Sequence, residues 1–227
     1  MEVIIVAISI FLSIAILSET FGVWARVIGA FNGEPTNGYS THVRIATLGR
    51  FFILLSAPTI GFMVDGGMRS NNIALIGAIY FTMVTFSIVF FIKSGHKYFY
   101  KIYGIINRKS VDISINQDIL NSMLETKITF NFFTWVFLSF ILTSSGVIVV
   151  NYLAANFHDM RAMIVQMSAV TTMFGTLIHV FFIDPRLSKA ADTDKMLLLE
   201  YSVNFLYSRL LSSIVLGVIF IIMYFYV

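Results

Sequence analysis

Four charged residues lie within long apolar stretches of the chain: Glu19, Arg26, Arg50 and Arg209. An arginine at the centre of a bilayer costs roughly 2.5–3.5 kcal/mol on insertion scales, so a spanning helix keeps one where it pairs, faces a polar cavity or meets a charged ligand. Three arginines against one glutamate predict an excess of positive charge. Because guanidinium groups bind phosphate in bidentate fashion, the pattern indicates a site for an anionic, phosphate-bearing substrate.

Metal-binding and catalytic motifs are not recognisable around these charges. The chain has no cysteine, and no His/Glu pair has the helical spacing of a zinc site. The helices offer only Glu19 and His179 as a nucleophile or general base, without a catalytic spacing. We therefore expect no metal, no cofactor and no enzymatic activity. The net charge of +3 does not suggest a nucleic-acid partner.

The composition sets the class of protein. Of 227 residues, 58% are hydrophobic and only 12% are charged, with a mean hydropathy of +0.86. Soluble domains carry about 25% charged residues. The sequence therefore predicts an all-α integral membrane protein with a single polytopic domain over residues 1–227.

Six apolar runs are long enough to cross a bilayer, which needs about 20 residues per helix. They cover about Val3–Ala30, Thr41–Val64, Asn72–Ile92, Thr129–Tyr152, Met160–Ile183 and Met196–Val227. Asp65-Gly66-Gly67 is a turn sequence, and Asp184-Pro185 is expected to end the fifth span. Glu2 stands where a signal peptide has basic residues, so we expect the first span to be retained.

The orientation follows from the distribution of positive charges. The segments after spans one, three and five carry ten of them, and the segments on the other side carry only Arg69 and Arg161. The positive-inside rule then places both termini outside. The ten are Arg44, Lys93, Lys97, Lys101, Arg108, Lys109, Lys127, Arg186, Lys189 and Lys195. With this orientation, Glu19, Arg26, Arg50 and Arg209 all fall in the cytoplasmic half, near the end where Arg44 lies.

Several of these residues have a second interpretation. Arg26 and Arg44 could simply reach the interface, and Arg50 and Arg209 could pair structurally with Glu19. Glu19 itself could be a counter-ion or a proton site. Three residues are assigned structural or hinge roles: Pro58 kinks the second span, and Asp65 and Asp184 anchor loops. The basic, aromatic cytoplasmic loop at about 93–128 is expected to attract anionic membrane lipids.

An internal repeat is a further hypothesis. Phe62-Met63-Val64-Asp65 ends the second span and Phe181-Phe182-Ile183-Asp184 ends the fifth. These are equivalent places in two three-helix halves, and they lie on opposite sides, as an inverted-topology repeat requires.

The order and spacing of two groups of residues resemble the Amj family of alternate lipid II flippases. The resemblance covers roughly residues 19–65 and 180–217. The first group is Glu19-Thr20, Arg26, Gly29, Arg50, Pro58, Gly61, Val64 and Asp65, and the second is Phe182-Ile183-Asp184-Pro185, Asp192 and Ser208-Arg209-Leu210.

The resemblance implies a multi-pass protein of the bacterial cytoplasmic membrane that moves a lipid-linked peptidoglycan precursor (lipid II) to the outer leaflet. Under this hypothesis Arg26, Arg50 and Arg209 bind the diphosphate, Glu19 tunes the site and Arg44 guides the head group into it. Because six helices are few for that cargo, either a homodimer or a groove open to lipid is expected. The alternatives are a proton-coupled carrier of a small ion or metabolite, and a membrane subunit that transports nothing.

Overall fold

The fold is a bundle of long helices. The computed structural model describes residues 2–108 and 127–226, without the side chains of residues 95–97 and 158. Within these ranges the chain is helical and contains no β-strand. Six helices are long and apolar enough to cross a membrane, which confirms the prediction of an all-α, multi-pass membrane protein.

In the described ranges, short turns and two short helices lie between the spanning helices. The elements are α1 (Glu2–Phe31), α2 (Pro35–Asp65), α3 (Ser70–Phe90), α4 (His96–Asn107), α5 (Phe130–Asn156), α6 (Arg161–Ile178), α7 (Asp184–Thr193) and α8 (Lys195–Tyr226). A π-helical turn at Phe91–Gly95 joins α3 to α4, and another at His179–Ile183 joins α6 to α7. A 3-10 turn at His158–Met160 precedes α6.

Three predicted boundaries differ from the structure. The second helix begins at Pro35 rather than Thr41, because proline suits the first turn of a helix, where its missing N–H is not needed. For the same reason the prediction that Asp184-Pro185 ends the fifth span is wrong: the helical path continues through α7 to Thr193. The loop predicted at about 93–128 is partly helix α4, and its residues 109–126 lie outside the described residues.

The helices form three layers. Helices α3 and α8 pack against each other in the first layer, and α1 and α5 lie in the second, each against both of them. The third layer holds α2, which packs mainly on α1, and α6, which packs mainly on α5. Exchanging α1–α2–α3 with α5–α6–α8 leaves this pattern of contacts unchanged, as an inverted repeat predicts.

The contact between α3 and α8 is reciprocal. Phe220 of α8 packs on Gly77 of α3, and Phe81 of α3 packs on Gly217 of α8. The two phenyl rings stack with their centroids 5.6 Å apart. Each helix therefore offers one glycine and one phenylalanine to the other at the centre of the bundle.

Helix α4 covers the end of the bundle that carries most of the basic residues, called here the basic end. Phe99, Tyr100 and Tyr103 are buried, while Tyr98 and Ile105 are exposed. Burial raises the pKa of Tyr100 to about 12. The helix thus buries one apolar face against the bundle and exposes further apolar side chains outward, as expected of a segment at a membrane surface.

Close packing of α1 on α2 depends on small residues. A Cβ atom at Gly29 would lie 2.5 Å from the Cα of Gly38, so the two backbones meet almost directly. A Cβ atom at Gly49 of α2 would similarly lie 2.7 Å from the Cβ of Ser18 of α1. These contacts fix how α1 and α2 are aligned along their lengths, and therefore which of their side chains face each other.

Gly29→Ala is expected to destabilise the bundle although it adds one methyl group. The new atom would collide with backbone rather than with a movable side chain, and overpacking of this kind costs about 1–3 kcal/mol. The measurement is the midpoint of thermal unfolding of the purified protein in detergent. Gly61→Ala is the matched control, because its Cβ meets nothing within 4 Å and alanine favours a helix. Equal midpoints for the two variants would contradict the close approach.

Candidate functional site

Arg26 joins three helices near the basic end of the bundle. Its side chain is 3% exposed, and Nη2 donates to Oδ1 of Asp184 at 2.7 Å. Nε donates to Nδ1 of His42 at 2.7 Å, and the guanidinium lies 4.7 Å from the centre of the Tyr39 ring. Arg26 of α1 is therefore bound both to α2 and to the start of α7. Since His42 accepts at Nδ1, the proton of its neutral ring is on Nε2.

His179 is a further ionisable residue beside the ion pair of Arg26 and Asp184. Its Nε2 lies 3.5 Å from the same Oδ1 of Asp184 that Arg26 contacts. The residue begins the π-helical turn between α6 and α7, and such turns are frequent at functional sites. The ring of His179 also meets Phe205 of α8 edge to face, with centroids 6.1 Å apart.

The site has two layers of charged residues at different depths. Arg209 forms the second of them, farther from the basic end than Arg26. It is 2% exposed and its Nη2 donates to Oε1 of Glu19 at 2.9 Å. Nη1 donates to Oγ1 of Thr20 at 2.8 Å. The guanidinium also lies 4.2 Å from the ring centre of Phe205 and 5.2 Å from that of Phe140. This layer therefore connects α1, α5 and α8.

The sequence of α1 places these groups on one face. Glu19 and Arg26 are about two helical turns apart, so they project on the same side of the helix. Gly22 lies between them, and a Cβ there would be 2.6 Å from Cδ2 of His42. The absence of a side chain at Gly22 thus makes room for the imidazole that holds Arg26.

The two layers balance their charges. Two arginines face two carboxylates, and Asp184, assigned from the sequence to anchor a loop, supplies one of them. Glu19 and Asp184 are 32% and 28% exposed, whereas the arginines are almost fully buried. The carboxylates therefore face the accessible side of the site and the guanidinium groups form its floor.

Each buried arginine retains a donor. Nη1 of Arg26 and Nε of Arg209 have no hydrogen-bond acceptor among the described residues, and Nδ1 of His179 also has no partner there. Buried polar groups without a partner are rare and costly in folded proteins. Each of the two guanidinium groups can therefore donate to one further acceptor.

Arg50 is placed differently from the other two arginines. It is exposed on the protein surface and forms no ion pair with any residue described. It follows Tyr39 by about three turns of α2, so it lies on the same flank of that helix as the ring that covers Arg26. Arg44 is also exposed but lies on another flank.

The structural residues predicted from the sequence lie along α2 and α7. Pro58 is exposed within α2, which continues through it. Asp65 is the last residue of α2, as its turn sequence predicts, and its Oδ1 accepts from Nη1 of Arg161 at 2.7 Å. This ion pair joins α2 to α6 at the end of the bundle opposite the basic end.

His42 was not identified from the sequence, although a signal was present. Helices α1 and α2 are joined by a turn of three residues, and Arg26 and His42 lie at similar distances from it. Antiparallel helices that meet at a short turn bring such residues to one depth. His179 was noticed, but the approach of its ring to Asp184 depends on a π-helical turn that no sequence pattern indicated.

A metal site is not formed by these residues. No group of three or more His, Cys, Asp or Glu side chains in the described ranges could hold a metal ion. The chain matched no model of a known protein family, no functionally characterised protein and no solved structure. The geometry of the site therefore has to carry the functional argument.

Glu19→Ala is expected to lower the free energy of unfolding by about 3–5 kcal/mol, because it leaves the buried Arg209 without its counter-ion. Glu19→Gln should cost less, since an amide oxygen still accepts from Nη2. Thermal unfolding in detergent measures both. The matched control is Asp65→Asn, which breaks an ion pair whose carboxylate is 68% exposed and should change stability by about 0–1 kcal/mol. If the loss is the same at Glu19 and Asp65, the buried pair does not contribute as described.

Proposed function

We propose that this protein is a lipid flippase that moves an undecaprenyl-diphosphate-linked peptidoglycan precursor from the cytoplasmic to the outer leaflet of a bacterial cytoplasmic membrane. One observation carries the proposal: two buried guanidinium groups, Arg26 and Arg209, each keep an N–H donor without an acceptor among the described residues. Phosphate oxygens are among the acceptors that arginine binds most strongly, often in bidentate fashion. The resemblance to the Amj family favours the specific lipid.

The position of the site suits a head group that stays attached to a membrane-embedded tail. Helices α2 and α6 form the outermost layer, and only Ile164 and Gly175 of α6 are buried. We take the side of the bundle between α2 and α6, called here the seam, as the route from the lipid to the carboxylates of Glu19 and Asp184, which are partly exposed. A tail could remain in lipid while the diphosphate occupies the interior.

Each arginine has a separate role under this proposal. Arg50, exposed on the Tyr39 flank of α2 and without an ion pair among the described residues, makes the first contact with the diphosphate. Arg26 and Arg209 then receive it at two depths along α1. Glu19 and Asp184 compete with the phosphate for these guanidinium groups, so binding is reversible. Arg44 attracts the anionic head group at the basic end.

A bacterium depleted of its own lipid II flippases tests the proposal. Expression of this chain should restore growth and the exposure of lipid II at the cell surface. Arg50→Ala should reduce that exposure at least about tenfold, by analogy with the loss of one charged contact worth 1.5–3 kcal/mol. Because Arg50 is exposed, the variant should accumulate normally. Arg69→Ala, an exposed arginine outside the site, is the control and should leave rescue intact.

Two results would contradict the proposal. Full rescue by a variant that lacks both Arg50 and Arg209 would show that the arginines do not bind the substrate. Failure of the unaltered chain to rescue, despite normal amounts in the membrane, would exclude lipid II and direct the search to other polyprenyl-diphosphate lipids. Purified protein in liposomes with labelled lipid II then separates head-group translocation from an indirect effect.

A proton-coupled carrier of a small ion or metabolite is the second candidate. The observation that favours it is the contact of 3.5 Å between Nε2 of His179 and Oδ1 of Asp184, beside the fixed charge of Arg26. Aspartate and histidine side chains in contact relay protons in membrane transporters. Flux of protons with a small solute through protein-containing liposomes, without movement of lipid head groups, would favour this candidate over the flippase.

A further inference from the structure

The carboxylates of two ion pairs occupy corresponding places in the two halves of the molecule. Asp65 ends the second helix of the first half, and Asp184 follows the second helix of the other half after its π-helical turn. Asp65 binds Arg161, and Asp184 binds Arg26. In both pairs the carboxylate and the arginine come from different halves.

These ion pairs also lie at opposite ends of the seam. Arg161 begins α6 and Asp65 ends α2, so their bond of 2.7 Å closes the seam at one end. Arg26, which holds His42 of α2, joins Asp184 at the basic end. Glu19 and Arg209 lie between the two ends. The seam is therefore bridged on both sides of the charged cluster.

We propose that the seam is the substrate path and that the two ion pairs are its alternating gates. Breaking the Arg26–Asp184 pair opens the cluster toward the basic end, and breaking the Arg161–Asp65 pair opens it toward the opposite end. Because the two halves pack in the same way, the movement that separates one end brings the other together. Such a path would serve any substrate that the charged cluster binds, so this inference does not depend on lipid II being the substrate.

The outer helices contain local features at which they can bend. Pro58 cannot donate a backbone hydrogen bond inside α2, and it lies between the two gates. The π-helical turn at His179–Ile183 interrupts the regular helix just before Asp184. Each outer helix thus has an irregular backbone segment near which it can move while the central helices α3 and α8 stay together.

The gates differ in burial. Arg26 and Asp184 are 3% and 28% exposed, whereas Arg161 and Asp65 are 22% and 68% exposed. A less exposed ion pair is screened less by solvent and salt. The gate at the basic end is therefore the stronger of the two, and the resting protein should open more readily at the opposite end.

Thiol labelling tests the gates directly, because the chain contains no cysteine. Ala46 and Ala57 are partly buried on the Arg50 flank of α2, Ala46 nearer the basic end and Ala57 nearer the other. Each is replaced singly by cysteine. A membrane-impermeant maleimide is then applied to sealed vesicles of both orientations. The readout requires neither substrate nor transport, so it can fail independently of the proposed function.

Asp184→Asn should raise labelling of Ala46→Cys from the basic side at least threefold and lower labelling of Ala57→Cys from the opposite side. Asp65→Asn and Arg161→Gln should each do the reverse. Asp192→Asn and Asp159→Asn, which change exposed carboxylates at the same two ends, are the controls and should alter neither. If Asp184→Asn does not accumulate, the two variants of the exposed pair still carry the test.

Two results would overturn the inference. Unchanged labelling at both positions in all the gate variants would mean that the ion pairs do not control access. A simultaneous rise at both positions would indicate loosening of the whole bundle rather than alternation.

Discussion

The structure depends on the cost of keeping two arginines out of water. A charge transferred to an apolar interior loses its hydration, and only a close counter-ion with further hydrogen bonds offsets that loss. Arg26 and Arg209 each receive one carboxylate, one neutral polar group and at least one aromatic face. Because these partners come from α1, α2, α5, α7 and α8, solvation of two side chains also fixes how those helices pack.

Much of the fold was predictable because it follows from local composition. Apolar runs gave six spans, and turn residues gave the end of α2 at Asp65. Glu19 and Arg209 were recognised from the sequence as charges that are costly in a bilayer. They pair in the structure, as the cost of burying an unpaired charge favours. The pairing of Arg26 with Asp184 was not predicted, because the two residues are separated by 158 positions and meet only through the packing of α1 beside α7. The extension through Pro185 was missed because the residue before a proline was expected to end the helix, whereas Pro185 lies in the first turn of α7.

The two halves are alike in packing and unlike in charge. Glycine contacts join α1 to α2 and α5 to α6, and one reciprocal contact joins α3 to α8. Yet both buried arginines bind carboxylates near the basic half, and among the described residues the opposite end has only the more exposed pair of Asp65 and Arg161. Under the proposed gating, symmetric packing would make two related conformations accessible at similar cost, and the asymmetric charges would give them different affinities for an anion. A carrier needs both properties, since a ligand shifts an equilibrium only by its difference in affinity for the two states.

The paired state of the arginines also bears on release. A cavity lined by unpaired guanidinium groups would bind a diphosphate strongly and would release it slowly, whereas transport requires a site that is favourable to enter and still easy to leave. In this bundle a diphosphate would gain the two unpartnered N–H donors but would have to displace Glu19 and Asp184 for more. The carboxylates remain tethered beside the arginines at a high effective concentration, so they would reclaim them as soon as the head group withdrew. Under the proposed function, the same acidic side chains that make the arginines tolerable in the apo protein would keep the bound state from becoming a trap.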